Sequence, residues 1–94
     1  MPITFAEDDP LIRFWTEPER VYQLDVRELL SSGGEPYPSI MHCVGQVQPG
    51  DTLLIHALFE PQPLIRQVER VGCKSESSHV GPDHWIVKIT RAGM

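Results

Sequence analysis

The most constraining feature of the sequence is a pattern that occurs twice: a proline-rich start, an amphipathic run, a turn and a strand-like segment. The first copy starts with Glu-Pro-Tyr-Pro at 35–38, turns at Pro-Gly-Asp, 49–51, and continues into the apolar segment 52–58. The second starts with Glu-Pro-Gln-Pro at 60–63 and turns at Gly72. Proline suits the first helical turn because its missing amide hydrogen would be unpaired there anyway. Each copy therefore predicts a short helix followed by a strand.

Apolar residues in both amphipathic runs recur at the i, i+3, i+4 spacing of a helix with one buried face. In the first helix, which follows Pro38, the buried set is Ile40, Met41, Val44 and Val47. In the second, residues 63–71, it is Leu64, Ile65, Val68 and Val71. Both helices are therefore expected to cover one side of a sheet.

Four segments have the pattern of strands. Residues 21–27 alternate between apolar and polar side chains, which is typical of a half-buried strand. Residues 52–58 are apolar on both faces, as central strands often are. Residues 73–80 are polar and rich in serine, so we expect an edge strand, and residues 84–91 return beside them. With right-handed crossovers, the order βαβαββ predicts an α+β fold, a two-layer α/β sandwich with a four-stranded mixed sheet and two helices on one face.

Length and charge limit the classes of function. At 94 residues the chain has the size of one small domain. Thirteen acidic against eight basic residues give a net charge of -5, which makes nucleic-acid binding unfavourable because phosphates need cations to neutralise them. No apolar run approaches the ~20 residues of a membrane helix, and the N-terminus lacks the pattern of a signal peptide. We therefore expect a cytoplasmic protein with no membrane association.

Residues 1–20 differ from the domain predicted at 21–94. They carry more large apolar side chains than a disordered tail usually has, namely Phe5, Leu11, Ile12, Phe14 and Trp15. We expect an N-terminal arm that docks through residues 11–15 and is looser over residues 1–6. The sheet face without helices is the expected docking surface, and we favour exchange of the arm within a homodimer.

Three motifs in this order resemble the TusA/SirA-like sulfur-carrier superfamily: Leu-Asp-Val-Arg at 24–27, Glu-Pro-Tyr-Pro at 35–38 and Gln-Pro-Gly-Asp-Thr-Leu at 48–53. The likeness covers about residues 21–91 and implies the sheet order first, second, fourth and third strand, with the fourth antiparallel. In those carriers a cysteine begins the proline motif and holds a persulfide, whereas this chain has Glu35. It looks closer to an uncharacterised branch without that cysteine, whose members often sit beside hemerythrin-like or other redox modules. The resemblance implies the fold but not sulfur transfer.

The candidate binding residues are Glu35, Pro36 and Pro38 at the first helix start, Glu60 before the second helix, and Asp25 and Arg27 at the end of the first strand. The two glutamates would present carboxylates to a cationic partner. The same positions also suit simple helix stabilisation, because an acid near a helix start is favourable by about 0.3–1 kcal/mol. Asp25 and Arg27 likewise suit a structural ion pair. No group of residues has the pattern of a catalytic site.

The cysteines and histidines give weaker signals. Cys43 lies well inside the first helix and Cys73 follows a glycine, so both are expected to be small hydrophobic residues. The parity of the strands places His56 and His84 on the uncovered face, together with Leu54, Leu58 and Ile86. Two imidazoles would bind a metal or respond to pH, but two ligands do not complete a tetrahedral site. The sequence therefore predicts no metal site and no cofactor.

The sequence favours a small interaction or regulatory module over an enzyme. Its partner would be a protein, with sulfur or redox metabolism as the implied setting. One alternative is a sulfur-relay or redox protein in which Cys43 or Cys73 takes over the missing role. Another is an RNA-binding module, which the acidic charge makes the least favoured.

Overall fold

The alternation of apolar and polar side chains builds one sheet with helices on one side. The computed structural model describes residues 2–5 and 9–93. In order, its elements are β1 (Arg13–Glu17), β2 (Val21–Asp25), α1 (Arg27–Ser31), α2 (Tyr37–Val44), β3 (Thr52–Ala57), α3 (Gln62–Arg70), β4 (Cys73–Gly81) and β5 (His84–Arg91). None of the helices in these ranges is long and apolar enough to cross a membrane.

The sheet has five strands in the order β1-β2-β3-β5-β4. Strands β2 and β3 are parallel, and the other neighbouring pairs are antiparallel. The α+β class and the predicted order of the four domain strands are confirmed. The prediction of four strands and two helices is wrong, because residues 13–17 add an edge strand and residues 27–31 form a short helix.

The core lies between the sheet and the helices. Its sheet side consists of fully buried aliphatic side chains, namely Leu24, Leu53, Ile55, Val87 and Ile89. The helices contribute Ile40 and Val44 from α2 and Leu64 and Val68 from α3. Two residues predicted on the buried faces of the helices lie outside them. Helix α2 ends at Val44, so Val47 is buried but follows the helix. Helix α3 ends at Arg70, and Val71 is 40% exposed rather than buried.

The N-terminal segment packs against its own chain. Ile12 is buried, and the ring of Phe14 stacks between Phe5 and Tyr22 at centroid distances of 5.6 and 6.4 Å. Residues 11–15 therefore pack on the domain as predicted, but the expected docking surface is wrong: residues 13–17 extend the sheet, and Phe14 lies on its helix-covered side. Ile3 is also buried, so the expectation of a looser segment fails there, while Met1 and Ala6 lie outside the described residues.

The Pro-Gly-Asp motif fixes the start of the central strand. Asp51 is buried, and its two carboxylate oxygens accept hydrogen bonds from the Gln48 amide at 3.0 Å and from Arg20 Nε at 2.6 Å. Gly50 has a φ of +95°, a conformation that side-chain-bearing residues rarely adopt. Thr52 then donates to the Arg20 carbonyl at 3.0 Å, which aligns β3 with the turn that precedes β2.

Candidate functional site

The predicted binding residues divide between two cavities. Asp25 and Arg27 line a cavity of about 470 Å³ at the ends of β2 and β3, which we call the strand-end cavity. Glu35 and Pro36 line a cavity of about 270 Å³ at the starts of α2 and α3, which we call the helix-start cavity. Pro38 and Glu60 are not among the lining residues of either. The six residues thus do not form one site.

In the strand-end cavity, the ion pair of Asp25 and Arg27 is a local structural contact. Arg27 donates from Nη2 to Asp25 Oδ2 at 2.8 Å, and its Nε and backbone amide both donate to Oδ1, at 3.1 and 3.0 Å. Burial acts to raise the pKa of Asp25, but the hydrogen bonds and charge of Arg27 outweigh it and lower that pKa. The pair holds the start of α1 against the end of β2, so its guanidinium is already engaged.

The helix-start cavity is apolar. Buried side chains form its floor, namely Val26, Ile40, Ile55, Ala57, Pro61 and Leu64. Leu30, Gly34, Tyr37, Pro63 and Phe59 complete the lining with Glu35 and Pro36, and Phe59 is 53% exposed. A large aromatic side chain left this open beside an apolar cavity is the kind of surface that proteins use for binding.

Carboxylates lie beside this cavity. Glu35 Oε1 accepts a hydrogen bond from the Tyr37 amide at 3.0 Å, so it stabilises the start of α2. Burial, and then the negative charge of Glu35, raise the pKa of Tyr37. The Glu60 carboxylate accepts from the Gln62 side chain, and Glu60 lies in the chain between two lining residues, Phe59 and Pro61. The cavity therefore combines an apolar interior with two carboxylates beside it, and the positive charge of Arg66 also acts on Tyr37.

Both thiols are inside the protein. Cys43 is fully buried and Cys73 is 4% exposed. Burial raises the pKa of the Cys73 thiol, which disfavours the nucleophilic thiolate. Neither residue lines the helix-start cavity.

The sheet face without helices carries a connected polar group, the histidine cluster, formed by Trp15, Glu17, Gln23, His56 and His84. His56 Nδ1 lies 2.8 Å from His84 Nε2, and His56 Nε2 lies 2.6 Å from Gln23 Oε1. Glu17 Oε1 accepts from Gln23 Nε2 at 2.9 Å and from Trp15 Nε1 at 3.1 Å. The Trp15 ring stacks on His56 with the centroids 5.9 Å apart.

The predicted proximity of His56 and His84 is confirmed, but sequence reasoning missed the rest of the histidine cluster. Trp15 and Glu17 stand two residues apart, which places them on one face of a strand. Only the pairing of β1 with β2 brings that face against Gln23. The i, i+2 spacing of Trp15 and Glu17, just before Pro18, was the sequence feature that could have indicated a strand with both side chains on one face.

His56 makes the stability of the protein depend on pH. Burial lowers its pKa below the ordinary 6.5; Asp25 opposes this shift, and the charges of His84 and Arg27 add to it. The unfolded chain, whose histidine has its ordinary pKa, binds a proton before the folded chain does. We therefore expect the free energy of unfolding to fall as the pH drops from about 6.5 towards the lower pKa of folded His56.

Urea denaturation between about pH 7.5 and 5, with a chelator present, measures this slope. We expect a smaller slope for His56→Gln. His79→Gln, the same substitution at an exposed histidine, provides the control. A slope that is the same in wild type and His56→Gln would contradict the assignment.

The family model described as "Uncharacterized conserved protein (DUF2249)" matches residues 23–91, a span that runs from β2 to the end of β5 and contains the helix-start cavity. No curated protein and no solved structure matches the chain.

Proposed function

The chain belongs to the DUF2249 family of uncharacterized conserved proteins, so we propose its function from the features of its own surface. We propose that it is a small interaction or regulatory module that binds a protein partner at the helix-start cavity. The observation that carries this proposal is Phe59, 53% exposed at the border of a 270 Å³ apolar cavity. Burying a large apolar side chain contributes about 1.5–3 kcal/mol, so closing this surface would favour association. The space suits an apolar side chain of the partner.

The negative charge beside the cavity indicates which residues a partner should carry. Glu35 lines the cavity and Glu60 lies in the chain between two lining residues, on a chain whose net charge is -5. Opposite charge around an apolar anchor speeds encounter and rejects wrong partners. We therefore assign a partner segment in which an apolar residue is flanked by lysine or arginine.

The proposal includes a TusA/SirA-like fold without the persulfide site. In those carriers the position of Glu35 holds the reactive cysteine, so the same surface would keep a docking role here and lose the transfer chemistry. The burial of Cys43 and Cys73 supports this over the sulfur-relay alternative, since neither thiol is presented to an acceptor. A partner in sulfur or redox metabolism fits the resemblance.

A photo-cross-linking residue in place of Phe59 tests the proposal in lysate of the native cell. Val80 is the matched control position, because it is equally exposed at 53% and lies on β4. We expect one discrete adduct from position 59 whose cross-linked peptide combines apolar and basic residues, and no such adduct from position 80. Equal labelling at both positions, or none at 59, would overturn the proposal.

A second experiment removes the negative charges beside the cavity. Glu35→Gln with Glu60→Gln keeps oxygen acceptors for the Tyr37 amide and the Gln62 side chain but removes both charges. We expect the adduct yield to fall several-fold while the melting temperature drops only slightly, since each acid stabilises its helix start by no more than about 1 kcal/mol. An unchanged yield would show that the carboxylates serve only the helix starts.

A further inference from the structure

We propose that His56 and His84 form a binding site for a divalent transition-metal ion of the zinc and copper class. The pair lies on the sheet face opposite the helices, so the site is separate from the helix-start cavity. His56 stands in β3 and His84 at the start of β5, two antiparallel neighbours in which His56 is opposite Ile86. His56 Nδ1 and His84 Nε2 face each other at 2.8 Å, and both side chains are half-buried.

The hydrogen bonds of the histidine cluster fix the tautomer of His56. The Glu17 carboxylate can only accept, so the Gln23 amide nitrogen turns towards it and the Gln23 oxygen turns towards His56. That oxygen also only accepts, so His56 Nε2 carries a proton and donates it. The His56 Nδ1 atom consequently presents a lone pair to His84, and without a metal the His84 Nε2–H donates to it.

This arrangement has the outer contacts of a metal-binding histidine. Such histidines usually donate their second ring N–H to a carbonyl or carboxylate, which orients the ring and strengthens the ligand nitrogen. His56 makes this contact with Gln23, and Glu17 holds Gln23 in place.

The distance between the two nitrogens is close to that of a chelate. Zinc–imidazole bonds of about 2.0–2.1 Å at a tetrahedral angle place the two nitrogens about 3.3 Å apart. The pair would therefore open by about half an ångström, with the rings turned so that both nitrogen lone pairs converge on the ion. His84 then binds as the neutral tautomer that carries its proton on Nδ1, so the Nε2 proton moves to Nδ1 by exchange with solvent. As the pH falls, protons compete with the metal ion for both ligand nitrogens, so binding weakens.

Charges of both signs surround His56. The negative charges of Asp25 and Glu17 favour a cation there, whereas Arg27 and His84 oppose it. Arg27 is paired with Asp25, and Glu17 accepts the N–H groups of Gln23 and Trp15, so these side chains orient rather than ligate. Within residues 2–5 and 9–93, no group of three or more histidine, cysteine or acidic side chains could hold a metal ion. The site accordingly has two protein ligands and leaves positions for water or an external ligand.

The ligand nitrogens select the metal. Imidazole suits zinc, copper and nickel, whereas magnesium and calcium prefer oxygen ligands. We therefore expect Cu²⁺ to bind more tightly than Zn²⁺, and Mg²⁺ to show no binding at this pair.

Calorimetric titration of the full chain with Zn²⁺ alone tests the site, and we expect one ion per chain. The affinity should fall at least tenfold in His84→Asn and in His56→Gln, but stay unchanged in the exposed-histidine controls His42→Gln and His79→Gln. Gln23→Met, which removes the acceptor for His56, should weaken binding about tenfold or more.

Ring-nitrogen NMR of the wild-type protein provides a readout that does not depend on variants folding. Before metal is added, His56 should show the tautomer protonated at Nε2, and Zn²⁺ should then shift His56 Nδ1 and His84 Nε2 ahead of the rings of His42 and His79. A Zn²⁺ titration that leaves these two nitrogens unchanged, or shifts all four histidines together, would overturn the proposal.

Discussion

A chain without residues 1–19 will melt at a markedly lower temperature and expose apolar surface. The deletion removes β1, unpairs one side of β2 and takes two buried isoleucines, Ile3 and Ile12, from the core. Full burial of each such side chain contributes about 1.5–3 kcal/mol. The loss of several kcal/mol is large against the 5–15 kcal/mol that usually stabilises a domain. Thermal unfolding and the fluorescence of an apolar dye measure both effects.

Single substitutions distinguish the stability lost through side-chain packing from the effect of shortening the chain. Ile12→Ala should reproduce part of the loss, whereas Thr16→Ala, at an exposed position of β1, should have little effect. A truncated chain that melts unchanged and binds no more dye would show that the segment contributes nothing to stability. Exchange of the arm within a homodimer stays a prediction, and the molecular mass in solution before and after deletion measures it.

Val68→Ala will lower the free energy of unfolding by about 2–4 kcal/mol, because it removes two methyl groups from the interior and leaves a cavity. Val68 is fully buried on the sheet-facing side of α3. Its neighbour Arg66 is exposed in the same helix, so Arg66→Ala should change stability by no more than about 0.5 kcal/mol.

Urea denaturation of both variants at neutral pH measures the contrast. Alanine has a higher helix propensity than either valine or arginine, so helix propensity cannot explain a loss of stability in either variant. Losses of equal size would mean that the buried face of α3 has been assigned wrongly.

The four strands from Val21 onwards were predictable because their patterns are strong. Residues 52–58 are apolar on both faces, and the turn at 49–51 marks where that strand begins. Strand β1 was not predictable to the same degree, since only Phe14 of residues 13–17 contributes an apolar side chain to the core. Its turn into β2 also lacks the usual glycine or asparagine, and instead places Glu19 and Arg20 at positive φ.

The candidate sites were predictable only where a position follows from periodicity. Strand parity was sufficient to bring His56 and His84 together, because it needs only the order of β3 and β5. The cavity at the helix starts was not predictable from Glu35 and Glu60, since its apolar lining combines residues of all three helices with the ends of β2 and β3 and with Phe59. From the sequence alone, Phe59 looks like an ordinary loop residue, because only the fold shows that it lies beside the starts of α2 and α3.

The two edges of the sheet have a consequence for self-association. Edge strands offer unpaired backbone groups that can recruit another chain, and proteins limit this with charges, bulges and prolines. β1 is mostly exposed, carries Arg13 and Glu17, and is followed at once by Pro18. β4 carries Lys74 and Glu76, and its pairing with β5 is irregular near Gly81. These features oppose strand-by-strand aggregation, so the protein can keep one sheet face open to ligands without growing into a fibre.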